Sequence, residues 1–526
     1  MNSLSFNNFR RFTVFPELEF SPITFLVGKN NTGKSTFVKS LILIDNYLKS
    51  TNTKYLDFAD TTNECTNIVT FGRAINSHSK TEEINFRLQI GDYKISLSIS
   101  GNKNDTKASV ITLLIEDLSL GFFIEFKPQT GTVSLGRRKP NDDNNNKVFR
   151  LNMPDLSNEI LSIKKELKNK SNISKTSSEF LKLIDELNFY LDRQEFYKGI
   201  LNKRNKISSQ YKKIKRKLFS NDNSYEAESD YNPNISLWET FPSIIDNLAH
   251  LYKLSKDEKL SQEERATYEE FRGFYDDKLS FEKSFSKLRS LIANHSYVYL
   301  GAFSVKQKSL FLIRDFDNPI SQAVHEFKQI GIGSERSSDA NIFIRKWMKN
   351  FEIGDDIIVN MSSGEAYEVL IKRRDDMSKI PLADKGMGSI QAMLLILRLS
   401  IIIHKAIKYK NTFTLLVEEP ELNLHPALQS VLADLFHEVY HKYKINFIIE
   451  THSEYLIRRT QLIVKENDYE VKPNDNPFTV VYFDAQKKPW VLMYRNDGVF
   501  VNDFGPGFFD VSSQQAISLL KRKNNG

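Results

Sequence analysis

The stretch SPITFLVGKNNTGKST (Ser21–Thr36) decides how the rest of the chain is read. A short apolar run ends in Gly28, and Phe37, Leu41 and Ile44 then recur at the three- and four-residue spacing of a helix. Between strand and helix lies Gly-x-x-x-x-Gly-Lys-Ser, the spacing of a phosphate loop in its required context. The glycines let backbone N–H groups curl around phosphate oxygens, and the helix start adds its positive dipole end. Lys34 is expected to reach the β- and γ-phosphates and Ser35 to ligate Mg²⁺. Gly28, Asn30, Asn31, Gly33, Lys34, Ser35 and Thr36 therefore form the expected nucleotide site, with ATP and Mg²⁺ as its ligands.

Three segments far downstream extend this reading. In TLLVEEPELNLHP (Thr414–Pro426) an apolar strand runs into Glu418 and Glu419. One carboxylate there can hold the water shell of Mg²⁺ while the next activates the attacking water. Alone, the pair would be an ordinary acidic strand end. The strand INFIIE then leads into Thr451-His452-Ser453, which puts an imidazole at the tip of a neighbouring strand. As the third member of an ordered set, His452 reads as a γ-phosphate sensor. Finally, Asp384-Lys-Gly386-Met-Gly388-Ser389 precedes a long apolar helix. Two glycines and a serine at a helix N-terminus make a second anion site. One triphosphate has one γ-phosphate, so two separate anion sites suggest a nucleotide shared between two subunits.

Composition narrows the class. The chain has 526 residues, 40% hydrophobic and 26% charged, which fits a globular protein of more than one domain. A single cysteine, Cys65, excludes an internal disulfide framework and a four-cysteine zinc site. The N-terminal residues MNSLSFNNFRRF lack the apolar core of a signal peptide. The longest greasy stretch, Met393–Ile407, carries Arg398, His404 and Lys405 and is too short to span a bilayer. A cytoplasmic protein with no membrane association is expected. Net charge is +7, yet Lys203–Lys217 alone carries eight positive charges, leaving −1 for the remainder. The basicity is local, which argues against a whole-surface nucleic-acid coat. That run suits nucleic acid or an acidic partner, or else is a solvated helix face or pairs within the chain with the acidic stretch at Asp222–Asp230.

The expected fold is α/β, in four segments. Residues 1–150 form an N-terminal lobe with the phosphate loop and a β-subdomain. Residues 151–295 form a helical insertion, marked by Phe180, Ile184, Leu187 and Leu191 on one face and a capping box at Ser261 and Glu264. Residues 296–380 form a linking β-rich segment. Residues 381–526 form a C-terminal lobe with the remaining motifs.

The order of these motifs resembles the ABC-type ATPase head of the SMC and recombination-repair group. GKNNTGKST is similar to its phosphate loop, DKGMGSIQ to its signature, VEEPELNLHP to its acidic strand and D-loop, and ETHS to its switch histidine. The wording EEPExxLHP…THS is closer still to the overcoming-lysogeny-defect ATPases and the PtuA-like ATPases of bacterial anti-phage systems. The resemblance spans about residues 1–130 and 380–485. It implies a P-loop head with a mixed sheet, an antiparallel β-lobe and a helical insertion, acting as a head-to-head homodimer. Glu418 would serve Mg²⁺ and Glu419 would be the catalytic base. Gly388 and Ser389 would contact the γ-phosphate held by the opposite subunit, His452 would contact it in cis, and Asn423 would lie at the subunit seam. Arg10 and Arg11 sit where such heads often contact nucleotide.

Three departures bear on function. No glutamine occurs between Thr36 and Leu88, so the usual Q-loop ligand cannot be placed. The transporter wording leucine-serine-glycine-glycine is missing from the signature. Only 74 residues follow His452, too few for a Toprim nuclease domain, so a nuclease or toxin subunit is expected to be separate. An ATP-gated scaffold with little turnover and a recombination-repair ATPase remain alternatives.

Overall fold

Three strands, β1 (Asn2–Phe9), β2 (Phe12–Phe20) and β3 (Ile23–Gly28), and helix α1 (Lys34–Lys49) open the chain. The computed structural model describes residues 2–50, 53–130, 132–137, 147–152, 224–228, 280–302, 308, 310–315, 318–332, 337–362, 364–373, 378–469, 476–505, 508–510, 514–515 and 517–518. The chain divides into two compact units. One comprises Ser3–Val14 and Leu43–Ala293, the other Phe15–Ile42 and Asn294–Gly526. The phosphate-loop segment thus belongs with the C-terminal half of the chain and not with the β-subdomain that follows it.

The first unit is a largely antiparallel β-lobe. It contains β4 (Tyr55–Asp57), the single-turn helix α2 (Phe71–Ala74), β5 (Glu83–Ile90), β6 (Tyr93–Ser100), β7 (Lys107–Asp117), β8 (Phe122–Lys127), β9 (Thr132–Arg137), β10 (Lys147–Asn152) and β11 (Ser224–Glu228). Alternation in sequence becomes alternation in burial, residue by residue along β6. The sheet runs β11-β10-β9-β8-β7-β6-β5-β1-β2, with β4 on β7 and with β10 and β11 paired parallel. Helix α3 (280–294) buries Phe281, Phe285, Leu288 and Ile292, one face at helical spacing. Phe281 meets Phe122 of the sheet edge-on at 5.2 Å between ring centroids, and Ser284 donates a hydrogen bond to Asp117. Within the expected helical insertion the described residues are the end of β10, β11, α3 and His295. The faces at Phe180–Leu191, the capping box at Ser261 and the basic run Lys203–Lys217 lie outside the described residues.

The second unit carries a six-stranded sheet and a four-stranded one. Its further elements are β12 (His295–Leu300), β13 (Phe311–Leu312), α4 (Pro319–Gln329), α5 (Asp339–Asn350), β14 (Asp356–Ser362), β15 (Ala366–Lys372), β16 (Lys379–Pro381), α6 (Met387–Tyr409), β17 (Thr412–Glu418), α7 (Pro426–Tyr443), β18 (Asn446–Thr451), α8 (Glu454–Glu466), β19 (Phe478–Phe483) and β20 (Trp490–Leu492). The segment 296–380, expected to be β-rich, also holds α4 and α5. Both carry start signals: Asn318 caps α4 ahead of Pro319, and Ser338 caps α5. The larger sheet runs β12-β17-β18-β3-β19-β20, parallel except for β20. Its strands β3, β17 and β18 are apolar on both faces, as helix-covered parallel strands are.

Helix α6 is long and apolar enough to cross a membrane by length and composition, but most of it is buried within the fold. It is apolar all round because α4, α5, α7 and β17 all contact it. The charges that interrupt it have a partner: Arg398 and Lys405 both bond the Glu326 carboxylate of α4, at 3.0 and 2.6 Å.

Candidate functional site

Sheet order brings the motifs together. β18 lies between β17 and β3, all parallel, so their C-terminal ends share one edge. Glu418 pairs with Glu450, Glu450 with Leu26, Thr451 with Val27, and Gly28 with Phe483 of β19. The edge where the phosphate loop leaves the sheet therefore also carries Glu418, Glu419 and His452.

Backbone geometry in the loop explains its glycines. Gly28 has φ +145°, and a Cβ on it would lie 2.3 Å from the Phe483 carbonyl oxygen. Gly33 has φ +105° and Asn31 φ +60°. Thr32 closes the turn by donating to the Lys29 carbonyl at 2.8 Å. Asn30 and Asn31 are exposed and Thr36 is buried in the first turn of α1. The Lys34 ammonium is buried, donating to the carbonyls of Gly28 and Lys29 at 3.1 and 3.0 Å.

A carboxylate that sequence reasoning did not single out stands at the centre. Glu450 accepts from the Ser35 hydroxyl at 2.8 Å and lies 3.5 Å from the Lys34 ammonium. Burial raises the Glu450 pKa, Lys34 counteracts this, and neighbouring Glu418 pushes it up further. Burial likewise lowers the Lys34 pKa, against the pull of Glu450, Glu419 and Glu421. The only sequence signal for Glu450 is an acid inside an otherwise buried strand, INFIIE.

Glu418 and Glu419 diverge at the strand end. Glu418 stays in the ladder with a buried Oε1 that has no hydrogen-bond partner among the described residues. Glu419 turns left-handed at φ +48° while its N–H still donates to the Glu450 carbonyl at 2.8 Å. Its Oε1 lies 3.8 Å from Nε2 of His452. Non-glycine residues held at positive φ carry strain that clusters at functional sites. Burial, and then Lys34, lowers the His452 pKa to about 4, so the imidazole is neutral near pH 7. A second acid missed from sequence, Glu421, is buried and accepts the His452 backbone N–H at 2.7 Å. Its own pKa is raised, chiefly by burial. Ser453 caps α8, while His425 caps α7 ahead of Pro426, which gives the His-Pro pair a structural role.

Gly386 caps α6 with no side-chain bond, and a Cβ there would meet nothing within 4 Å. Gly388 is tightly placed: its Cβ would lie 2.4 Å from the Asn423 carbonyl. Asn423 itself is left-handed at φ +61°. Ser389 is half-buried in the same first turn. Among the described residues no hydrogen bond or ion pair joins Gly386, Gly388 or Ser389 to the Lys34 cluster. Arg10 and Arg11 fall in the other unit.

The site offers a hard-oxygen donor set: the Ser35 hydroxyl, the orphaned Glu418 Oε1 and the Glu450 carboxylate. Such a set fits Mg²⁺, which takes one or two carboxylates plus water and substrate phosphates. Among the described residues no group of three or more His, Cys, Asp or Glu side chains is spaced to hold a metal unaided. A cation here would rely on the phosphates for the rest of its shell.

A family model, the AAA ATPase domain, matches residues 1–457. The chain belongs to the AAA ATPase domain family. Its chemistry is ATP hydrolysis, and its fold is that of a P-loop ATPase. Similar solved structures include the Smc head domain with an extended coiled coil bound to the C-terminal domain of ScpA, derived from Pyrococcus furiosus. That likeness has 12% identity, covers 99% of both chains and has a TM-score of 0.35. An SmcHead bound to the C-winged helix domain of ScpA is similar at 12% identity, over 93% of this chain and 97% of the other, with a TM-score of 0.31. No curated protein matches.

Proposed function

We propose that this ATPase dimerises head to head around ATP and uses the cycle to control a separate effector. In this reading Gly28, Asn30, Asn31, Gly33, Lys34 and Thr36 hold the triphosphate, and Ser35 and Glu418 hold Mg²⁺. Bound Mg²⁺ supplies charge neutralisation on the phosphates. Glu419 orients and deprotonates the attacking water, and the neutral His452 donates a hydrogen bond to the γ-phosphate. Gly386, Gly388 and Ser389 face the nucleotide of the opposite subunit. The observation that carries the dimer is the pair of glycine-based helix starts in one chain, at Gly33 and Gly386, for a ligand with a single γ-phosphate. Contact of Gly388 with Asn423 supports it, since both belong to the motifs assigned to the subunit seam. Resemblance of the motif wording to anti-phage ATPases supports a cytoplasmic setting in bacterial defence, with a nuclease or toxin as the effector.

The test is association of full-length protein measured by light scattering, with and without Mg·ATP. Glu419→Gln should bind ATP and accumulate as a closed dimer, because loss of a positioned base slows chemistry by ~10²–10⁴-fold. Ser389→Arg in the same background should prevent closure. An ATP-independent mass in Glu419→Gln would overturn the shared-site reading.

A further inference from the structure

We propose that Glu450 positions the metal side of this site through Ser35, a role the acidic strand end would otherwise be expected to fill. The inference rests on the assignment of Ser35 to Mg²⁺ above. A serine hydroxyl has one proton and two lone pairs. When that proton is committed to Glu450 at 2.8 Å, the oxygen lone pairs are left to face a cation. Glu418 does not perform this service: its Oε1 accepts no hydrogen bond among the described residues. The same Glu450 carboxylate lies 3.5 Å from the Lys34 ammonium. One side chain thus contacts both phosphate-loop groups whose work is electrostatic, the cation that meets phosphate and the hydroxyl that meets Mg²⁺.

The fold makes the contact a consequence of strand order. β18 separates β17 from β3, so its last residues lie nearer the phosphate loop than those of β17. Register then puts Glu450 beside Glu418 and next to Leu26, two residues before Gly28. Partners that orient a metal ligand typically set 10–100-fold of metal affinity. The contact also neutralises Lys34 before nucleotide arrives, so incoming phosphate competes with Glu450 for the ammonium.

The experiment is nucleotide binding by full-length protein, followed with a fluorescent ATP analogue across a Mg²⁺ titration and again in chelator. Glu450→Ala should raise the half-saturating Mg²⁺ concentration ~10–100-fold, while metal-free nucleotide binds no more weakly than to the native chain. Glu450→Gln, isosteric and still able to accept from Ser35, should recover most of the Mg²⁺ affinity; it also serves if the alanine variant does not fold. Ser35→Ala should show the same Mg²⁺ defect, and adding Glu450→Ala to it should change nothing further. Equal losses with and without Mg²⁺ would reduce Glu450 to a structural residue and overturn the proposal, as would additive defects in the double variant. A Mg²⁺ defect in Ser35→Ala without one in Glu450→Ala would overturn the Glu450 role alone. No Mg²⁺ defect in Ser35→Ala would overturn both that role and the Ser35 assignment.

Discussion

Glu419 is held at φ +48°, a conformation that costs a non-glycine residue about 1–2 kcal/mol. Glu419→Gly relieves that strain and removes the carboxylate at once. We expect it to unfold at higher urea, by about 1 kcal/mol of stability, while ATP turnover falls to background. Gly28 gives the opposite result. Its φ of +145° and the 2.3 Å approach of the Phe483 carbonyl leave no room for a methyl group. Gly28→Ala should cost at least ~1–3 kcal/mol in urea unfolding and weaken ATP binding, because β19 or the loop must move. Lys34→Ala should abolish ATP binding and also lower the urea midpoint, since it leaves Glu450 buried without its charge partner. Turnover and binding measured side by side separate these three outcomes.

At the scale of elements, the contact between α4 and α6 is built on one acid serving two bases. Arg398 and Lys405 both bond Glu326, and Arg398 also donates to the Gln322 side chain. Burial lowers the Arg398 pKa, and Glu326 holds it up. Glu326→Gln should therefore cost about 1.5–3 kcal/mol, the range for hydrogen bonds to charged groups, seen as a lower urea midpoint at unchanged slope. Pairing it with Arg398→Met should recover part of that loss, because an unpaired buried charge is then no longer left behind. Recovery absent from the double variant would show that Lys405 carries the contact.

At the scale of the whole molecule, His437 and His452, the described histidines whose pKa is most depressed, make stability fall in mild acid. Burial and then His441 lower His437 to about 4, and burial and then Lys34 lower His452 to about 4. Both are neutral in the fold over a range where the unfolded chain, with an ordinary pKa near 6.5, takes up protons. Above about pH 6.5 neither contributes a slope. Between there and pH 4 the unfolded state binds more protons, so stability drops as pH falls. His437→Gln should flatten part of that drop in urea unfolding from pH 7 to 5 without altering nucleotide affinity at pH 7. The Tyr469 hydroxyl, 2.7 Å from both His437 and His441, donates to a neutral ring nitrogen or accepts from a protonated one, so these contacts do not themselves oppose protonation.

Local patterns determined much of this protein from sequence alone. Phosphate-loop spacing, the apolar run before it and the helical face after it are set by neighbours within sixteen residues, so Gly28–Thr36 was legible. The strand ending in Glu418 and Glu419 and the helix start at Gly386 were legible for the same reason. Helices α4 and α5 carried readable caps at Asn318 and Ser338, but the strand patterns on either side obscured them. Only the tertiary structure decided which strands are neighbours. INFIIE reads as any buried strand until it is placed between β17 and β3, where its last acid meets Lys34 and Ser35. Glu421 was hidden likewise, because its partner is a backbone N–H thirty-one residues away. Sequence periodicity specifies which face of a strand is buried; the side-by-side order of parallel strands depends on crossovers, and only folding supplies it.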